Sequence, residues 1–249
     1  MGELSFAAAV PVGAWHEDLP RALSSLKDQG APLEVALLDA SGDPRVAAAA
    51  DESGLAFAYR RHGRDDGQAA AIAEGWARTR SDLVFWLNAD DRLTPGALGR
   101  VGREFAADPE ADVVFGGSVF VGPGDVRIGV HDQVAEVSPL LLRSNVISQP
   151  SCFARRCAVE SVGGLDQRLH YVMDWDLWVR LYAAGARFRR VEDTLSLVFM
   201  GAGTKTAHLT PRRLSEVFHL VRRNAGLWSA LKSTLAVSTG TLGRRWSQA

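Results

Sequence analysis

Leu83-Val84-Phe85-Trp86-Leu87-Asn88-Ala89-Asp90-Asp91 decides how the rest of this chain is read. Five apolar residues run unbroken into an amide and two neighbouring carboxylates. A short continuous apolar run with a polar end is the pattern of a strand buried on both faces, as in a parallel sheet. The same pattern recurs upstream. Residues 5–10, apolar from Phe6 onward, end at Pro11-Val12-Gly13-Ala14-Trp15. Residues 34–38 end at Asp39-Ala40-Ser41-Gly42-Asp43, and residues 55–59 are followed by Arg64-Asp65-Asp66-Gly67-Gln68. Helical spacings lie between them: Leu19, Leu23 and Leu26 before Gly30, then residues 44–52, the Ala-rich 66–80, and 95–107 with Pro95 in the first turn. Strand and helix therefore alternate over residues 4–120. That predicts an α/β fold with a Rossmann-like, mostly parallel sheet and flanking helices.

Composition narrows the function classes. The 249 residues are 47% hydrophobic and 23% charged, which excludes disorder, collagen or coiled coil as the dominant state. Lys plus Arg is 28 against Asp plus Glu at 29, a balance without the field of a general nucleic-acid binder. Cys152 and Cys157 are too few for a disulfide framework or a four-cysteine zinc site. No run approaches the roughly 20 apolar residues of a membrane span, and Met1-Gly2-Glu3-Leu4 lacks the basic start of a signal peptide. The expected location is cytoplasmic, with peripheral contact at the inner membrane face as the alternative.

The second half is less regular. Helices are expected over residues 138–143, 156–162, 174–184, 211–224 and 227–237, and a strand over 188–198. The domain reading is 1–209 as one unit, with 1–120 its ligand-binding half and 121–209 its second half, followed by a helical C-terminal extension over 210–249. That extension carries Arg212, Arg213, Arg222, Arg223, Lys232, Arg244 and Arg245 against the lone acid Glu216. Leu227, Trp228, Leu231 and Leu235 form a narrow stripe on it. Packing of this stripe against the domain is the expectation, and a membrane-surface helix is the alternative.

In open parallel sheets ligands bind beyond the carboxyl ends of the strands. Asn88-Ala89-Asp90-Asp91 stands at such an end. Adjacent carboxylates there repel unless a cation or a capping role accommodates them. Oxygen ligands of this kind suit Mg²⁺ or Mn²⁺ bound with substrate phosphates, while Asp91 or Thr94 as a cap for the next helix is the competing reading. Asp39 could accept from a ribose or base, or simply close an Asx turn. Asp174 and Asp176 open a helix in Met173-Asp174-Trp175-Asp176-Leu177-Trp178, where the dipole favours acids. A carboxylate beside aromatics can also serve as a base. The chain lacks GxGxxG, GxSxG and HExxH, and residues 201–206 lack phosphate-loop spacing.

Taken in order, these residues resemble the inverting GT-A glycosyltransferases of family 2. Val10-Pro11-Val12 resembles the family's first strand and turn, and Leu19, Leu23, Ser25, Leu26 and Gln29 its first helix. Asp39, Ser41, Gly42 and Asp43 resemble its second strand end. A bacterial branch carries DxGQ, AINxG and WLNSDD, similar to Asp66-Gly67-Gln68, Ala71-Ile72-Ala73-Glu74-Gly75 and Trp86-Leu87-Asn88-Ala89-Asp90-Asp91. Its later QPSxFFRR, VGGLDE and LHYAMDYDLW segments resemble residues 147–153, 162–166 and 169–178.

The resemblance implies a GT-A fold and a nucleotide-sugar donor, by default a UDP-sugar, lying on Pro11, Val12, Asp39, Asp66, Gln68, Asn88, Ala89, Asp90 and Lys205. It implies Mn²⁺ or Mg²⁺ at Asp90 with Asp91, and Asp174 as general base. It also implies a saccharide, lipid-linked or small-molecule acceptor near Gln149, His170, Trp175 and Asp176. The chain departs from the branch at Ala73, where it has Asn, and at Gly201, where a His is common before an SKT-like segment; here Thr204-Lys205-Thr206 follows. A non-catalytic binding protein on this scaffold and a sugar nucleotidyltransferase are the competing readings.

Overall fold

Residues Phe6–Val12 form β1, buried along its whole length. Its alternate side chains serve two cores: Ala7 and Ala9 face one side of the sheet, Phe6, Ala8 and Val10 the other. The structure, a computed structural model, describes residues 3–131, 134–201, 204–205 and 208–246, with side chains through 239. In chain order β1 is followed by α1 (Leu19–Ser24), β2 (Leu33–Asp39), α2 (Pro44–Glu52), β3 (Phe57–His62), α3 (Gln68–Ala77) and β4 (Leu83–Trp86). Then come β5 (Arg92–Leu93), α4 (Ala97–Ala107), β6 (Val113–Val121), β7 (Arg127–Val130), β8 (Cys152–Arg155) and α5 (Arg156–Ser161). The chain ends with α6 (Met173–Ala183), β9 (Phe188–Phe199) and α7 (Pro211–Trp246).

The strand order is β3-β2-β1-β4-β8-β6-β9-β5, with β7 paired to β6. The first four strands are parallel, as the alternating pattern predicts. Beyond β4 the sheet is mixed. β6 does not follow β4; β8 lies between them, antiparallel to both. β5, β7 and β8 are two to four residues long, too short for a periodicity to reveal. The expected α/β architecture stands, with a parallel first half and a mixed second half.

Helix α3 packs closely because Gly75 has no side chain. A Cβ there would sit 2.9 Å from both the Ala9 Cβ and the Leu38 Cδ2, which only a backbone shift could relieve. α1, α2 and α4 cover the opposite face. α7 bends at Gly226, whose φ of 83° continues no right-handed helix. Val217, Leu220, Val221 and Ala230 of α7 enter the same core as α3 and α6. The stripe of Leu227, Trp228, Leu231 and Leu235 does not: these residues are 50%, 77%, 46% and 65% exposed. The expected packing of that stripe is thus corrected; the bend at Gly226 turns Ala230 inward instead.

Candidate active site

The parallel register brings the strand ends level. Val12 pairs with Asp39, and Ala9 with Trp86. The end of β2 at Asp39 and the segment Asn88–Asp91 that follows β4 therefore leave the sheet at the same edge, on either side of β1. Pro11 and Val12 are themselves buried in β1, so what this strand presents to the edge is the loop beyond it. There His16 accepts from the Asp18 backbone N–H at 3.2 Å and sets its ring edge-on to Phe199, centroids 5.1 Å apart. Trp15 lies under the Arg45 guanidinium at 4.8 Å.

Asp39 is buried. Its Oδ1 accepts from the Ser41 N–H at 2.9 Å and the Ser41 hydroxyl at 2.5 Å, and its Oδ2 lies 3.0 Å from His62 Nδ1. Burial works against its charge, but the hydrogen bonds of Ser41 and His62 outweigh it and hold the carboxyl below its ordinary range. Asp39 therefore closes its turn and carries a negative charge at the edge, both at once. Asp66 is exposed in the loop before α3, while its neighbour Asp65 binds Arg61 and the Gly67 N–H.

The residues after β4 are held by a chain of amides. Gln68 donates to Asn88 Oδ1 at 2.8 Å. Asn88 Nδ2 donates to Asp91 Oδ2 at 2.9 Å and to Gln149 Oε1 at 3.1 Å. Gln149 in turn donates to the Trp86 carbonyl at 2.8 Å. Asp91 Oδ1 accepts from the Phe199 N–H at 3.2 Å. Asp91 thus ties β4 to β9 and does not cap α4, whose N-cap is Gly96; Thr94 turns its hydroxyl to the Thr194 carbonyl. Burial and the neighbouring Asp90 push the Asp91 carboxyl up to about 8. Burial also raises Asp90, against which the nearby His16 acts. Asp90 is only partly buried, so of the two acids it is the one with access to the cleft.

Asp174 stands in the first turn of α6. Asn145 donates to its Oδ2 at 2.9 Å, and burial raises its carboxyl above the ordinary range. Lys205 connects it to the amide chain. Its Nζ donates to Gln68 Oε1 at 2.8 Å and lies 5.6 Å from the Tyr171 ring centroid. Its charge pulls Asp174 down, and Asp174 supports it in return. Burial is the larger effect and lowers Lys205 to about 8. Asp90–Asp91 and Asp174, 84 positions apart in sequence, therefore flank one hydrogen-bonded row of Asn88, Gln68 and Lys205. Of the SKT-like segment, Thr206 lies outside the described residues.

A groove of about 640 Å³ leads from Asp174 between Asn145, Tyr171 and Trp175 on one side and α7 on the other. Of the residues expected near an acceptor, Gln149 belongs to the amide chain instead. His170 is partly buried beside Tyr171, where burial and Lys205 lower its pKa. Trp175 is buried and donates to the Leu141 carbonyl at 2.5 Å. Asp176, two residues from Asp174 and so about 200° round the helix, gives its oxygens to Arg180 at 2.7 Å and Arg223 at 2.5 Å. That ties α6 to α7. His16, Asn145 and Tyr171 are the site residues that sequence reading missed. Only the last, next to Asp174's own motif, carried a local signal.

Residues 13–159, more than half of the chain, match the family model for Glycosyl transferase family 2. The chain belongs to that family. Its relatives include the O-antigen biosynthesis protein RfbC of Myxococcus xanthus, 31% identical over 164 residues, which are 62% of this chain and 13% of that protein. The pre-mycofactocin glycosyltransferase of Mycobacterium tuberculosis is 31% identical over 137 residues, 51% of this chain and 29% of that one. The family 2 chain described here therefore spans less than a third of the length of these relatives. In three dimensions it resembles S. aureus TarS 1-349 in complex with UDP-GlcNAc, with a TM-score of 0.71, 16% identity, and coverage of 98% of this chain and 73% of that one. It also resembles the mannosyltransferase PcManGT of Pyrobaculum calidifontis, in complex with GDP-Man and Mn2+, with a TM-score of 0.62, 15% identity, and coverage of 96% and 75%. At those identities the likeness is one of fold.

Proposed function

We propose that this chain is an inverting glycosyltransferase that moves a sugar from a nucleotide diphosphate, UDP by default, to an acceptor hydroxyl. The observation that carries the reading is the row Asp91–Asn88–Gln68–Lys205, with Asp90 at one end and Asp174 at the other, both partly buried. The family and the UDP-GlcNAc and GDP-Man held by neighbours of the same fold support a nucleotide sugar as donor.

The donor would lie across the ends of β1, β2 and β4. Asp39, held charged by Ser41 and His62, would accept from ribose or base. Lys205 would meet the diphosphate, and Gln68 would aim it. The donor set at Asp90 fits a hard divalent cation. It is a cleft carboxylate with little competing protein contact, and such ions bind through one or two carboxylates plus substrate phosphates. When bound, Mn²⁺ or Mg²⁺ would neutralise charge on the departing diphosphate. Asp91 would support Asp90 from below, its own oxygens being taken by Asn88 and Phe199.

Asp174 would take the proton of the attacking acceptor hydroxyl. Asn145 and the backbone N–H of Trp175 support its carboxylate. Attack on the anomeric carbon from the face opposite the diphosphate inverts it.

Nucleotide release from UDP-, dTDP- and GDP-sugars, with Mn²⁺ and with EDTA, tests the reading. Metal-dependent release of one nucleotide, lost in Asp90→Asn, is the expected result. Absence of both release and nucleotide binding across the panel overturns it.

A further inference from the structure

The groove that ends at Asp174 opens on the second half of α7. Trp228, Ser229, Lys232, Ser233, Ala236 and Val237 form that wall. Arg143 and Arg213 line it as well, and Asp174 is the sole acid among its lining residues. The helix is fastened along one narrow edge, by buried Ala230 and by Ser233, whose hydroxyl donates to the Arg143 carbonyl at 2.7 Å. One residue round from the groove-lining row of Trp228 and Lys232 runs the exposed row Leu227, Leu231 and Leu235. An apolar row, an exposed Trp at its border and cations beside it are the features of a helix lying in the plane of an anionic membrane surface. Charge points the same way: from residue 210 onward the sequence has seven basic residues and one acid. That acid, Glu216, pairs with Arg212 at 2.9 Å and accepts from the backbone N–H groups of His170 and Tyr171.

We propose that residues 227–237 rest on an anionic lipid bilayer, so that the groove opens at the surface and takes a lipid-anchored acceptor from it toward Asp174. The acceptor half of this rests on the transferase reading above; the bilayer half does not. Such contact is peripheral, since no helix among the described residues is long and apolar enough to cross a membrane.

The test is co-sedimentation of the full chain with vesicles of phosphatidylcholine alone and of phosphatidylcholine mixed with phosphatidylglycerol. Binding to the mixed vesicles is expected, weakened by salt and lowered about tenfold or more by Leu231→Ser with Leu235→Ser. Both positions are exposed, so the variant's unfolding temperature should match the parent's, and Lys232→Glu gives an independent second variant. No binding, or equal binding to neutral vesicles, overturns the proposal. So does a dimer that the double variant dissolves, which would make a second copy the cover of the leucine row. For the acceptor half, vesicles containing a total lipid extract are incubated with the labelled nucleotide sugar that the chain hydrolyses. Label in the organic phase is expected, and label confined to the aqueous phase overturns it. Failure of the transferase reading would look different: vesicle binding intact, with no nucleotide bound.

Discussion

Lys205 donates from Nζ to Oε1 of Gln68 at 2.8 Å, joining residues 137 positions apart in sequence. The bond ties the segment after β9 to the first residue of α3. From Gln68 the contacts run on to Asn88 and Asp91. From Lys205 the electrostatic coupling runs to Asp174.

Nucleotide affinity should follow the charge of Lys205. Burial lowers this ammonium to about 8, so the positive charge is present below that pH and lost above it. Affinity for UDP, measured by calorimetry, is expected to fall about tenfold between pH 7 and pH 9, a charge-assisted contact being worth about 1.5–3 kcal/mol. Lys205→Ala should bind UDP about tenfold more weakly at pH 7 and lose this pH dependence. A flat profile in the parent protein would remove Lys205 from the diphosphate site.

Asp174→Asn should lower kcat by about 10²–10⁴-fold, the usual contribution of a general base, while still binding UDP. The acid limb of the kcat profile should lie above the ordinary carboxylate range, because burial raises this group. Stability gives an independent reading. The folded carboxyl holds its proton more tightly than the unfolded one. Its contribution is therefore fully present at low pH and lost as pH rises through the raised value. Asp174→Asn, which never ionises, should gain on the parent in unfolding temperature as pH increases. Equal temperatures across that range would mean that the Asp174 carboxyl is not raised in the folded protein.

Thermal shift separates the two acids after β4. Mn²⁺ with UDP should stabilise the parent and raise its unfolding temperature, the stabilisation being about 2.7 kcal/mol when ligand is at a hundred times its Kd. Asp90→Asn should lose the metal-dependent part while folding normally, since this side chain reaches the cleft. Asp91→Asn should show its main effect without any metal, because Asp91 receives the Phe199 N–H and the Asn88 amide in the core. If Asp90→Asn keeps the full metal-dependent shift, the cation is held elsewhere.

The parallel half of this fold was legible in advance because β1, β2 and β4 carry apolar runs ending at a turn; β3, expected over 55–59, runs instead from Phe57 to His62 and ends in Arg60, Arg61 and His62. The site was legible where a functional group stands next to such a run, as Asp39 does after β2 and Asn88 to Asp91 after β4. The sheet beyond β4 was not, since β8 enters between β4 and β6 by a long-range pairing that no local pattern encodes. Asn145 was missed for the same reason: it meets Asp174 across 29 residues from an irregular segment. His16 carried no local signal: it stands in the loop after β1, and only the tertiary fold brings it to Phe199 at the end of β9 and near Asp90. The stripe on α7 misled because spacing shows that a row exists and not which way a bent helix turns it.

Asp176 offers a clean contrast with Asp174, since the two share a helix turn and a motif. Asp176 is 1% exposed, and both of its oxygens are engaged by arginines, Arg180 of its own helix and Arg223 of α7. Removing one partner of a buried ion pair costs about 3–5 kcal/mol when the other is left without water. Here the guanidinium of Arg223 is 57% exposed and can rehydrate, so Asp176→Ala should cost less, about 2 kcal/mol in urea unfolding. Because the side chain turns away from the groove, kcat and acceptor KM should stay within about twofold of the parent at a temperature where the variant is folded. Arg223→Ala should reproduce the stability loss in smaller measure, and the double variant should cost less than the two single losses combined, as expected for groups in direct contact. A large rise in acceptor KM for Asp176→Ala, with stability unchanged, would return Asp176 to the acceptor site and make the tie between α6 and α7 incidental.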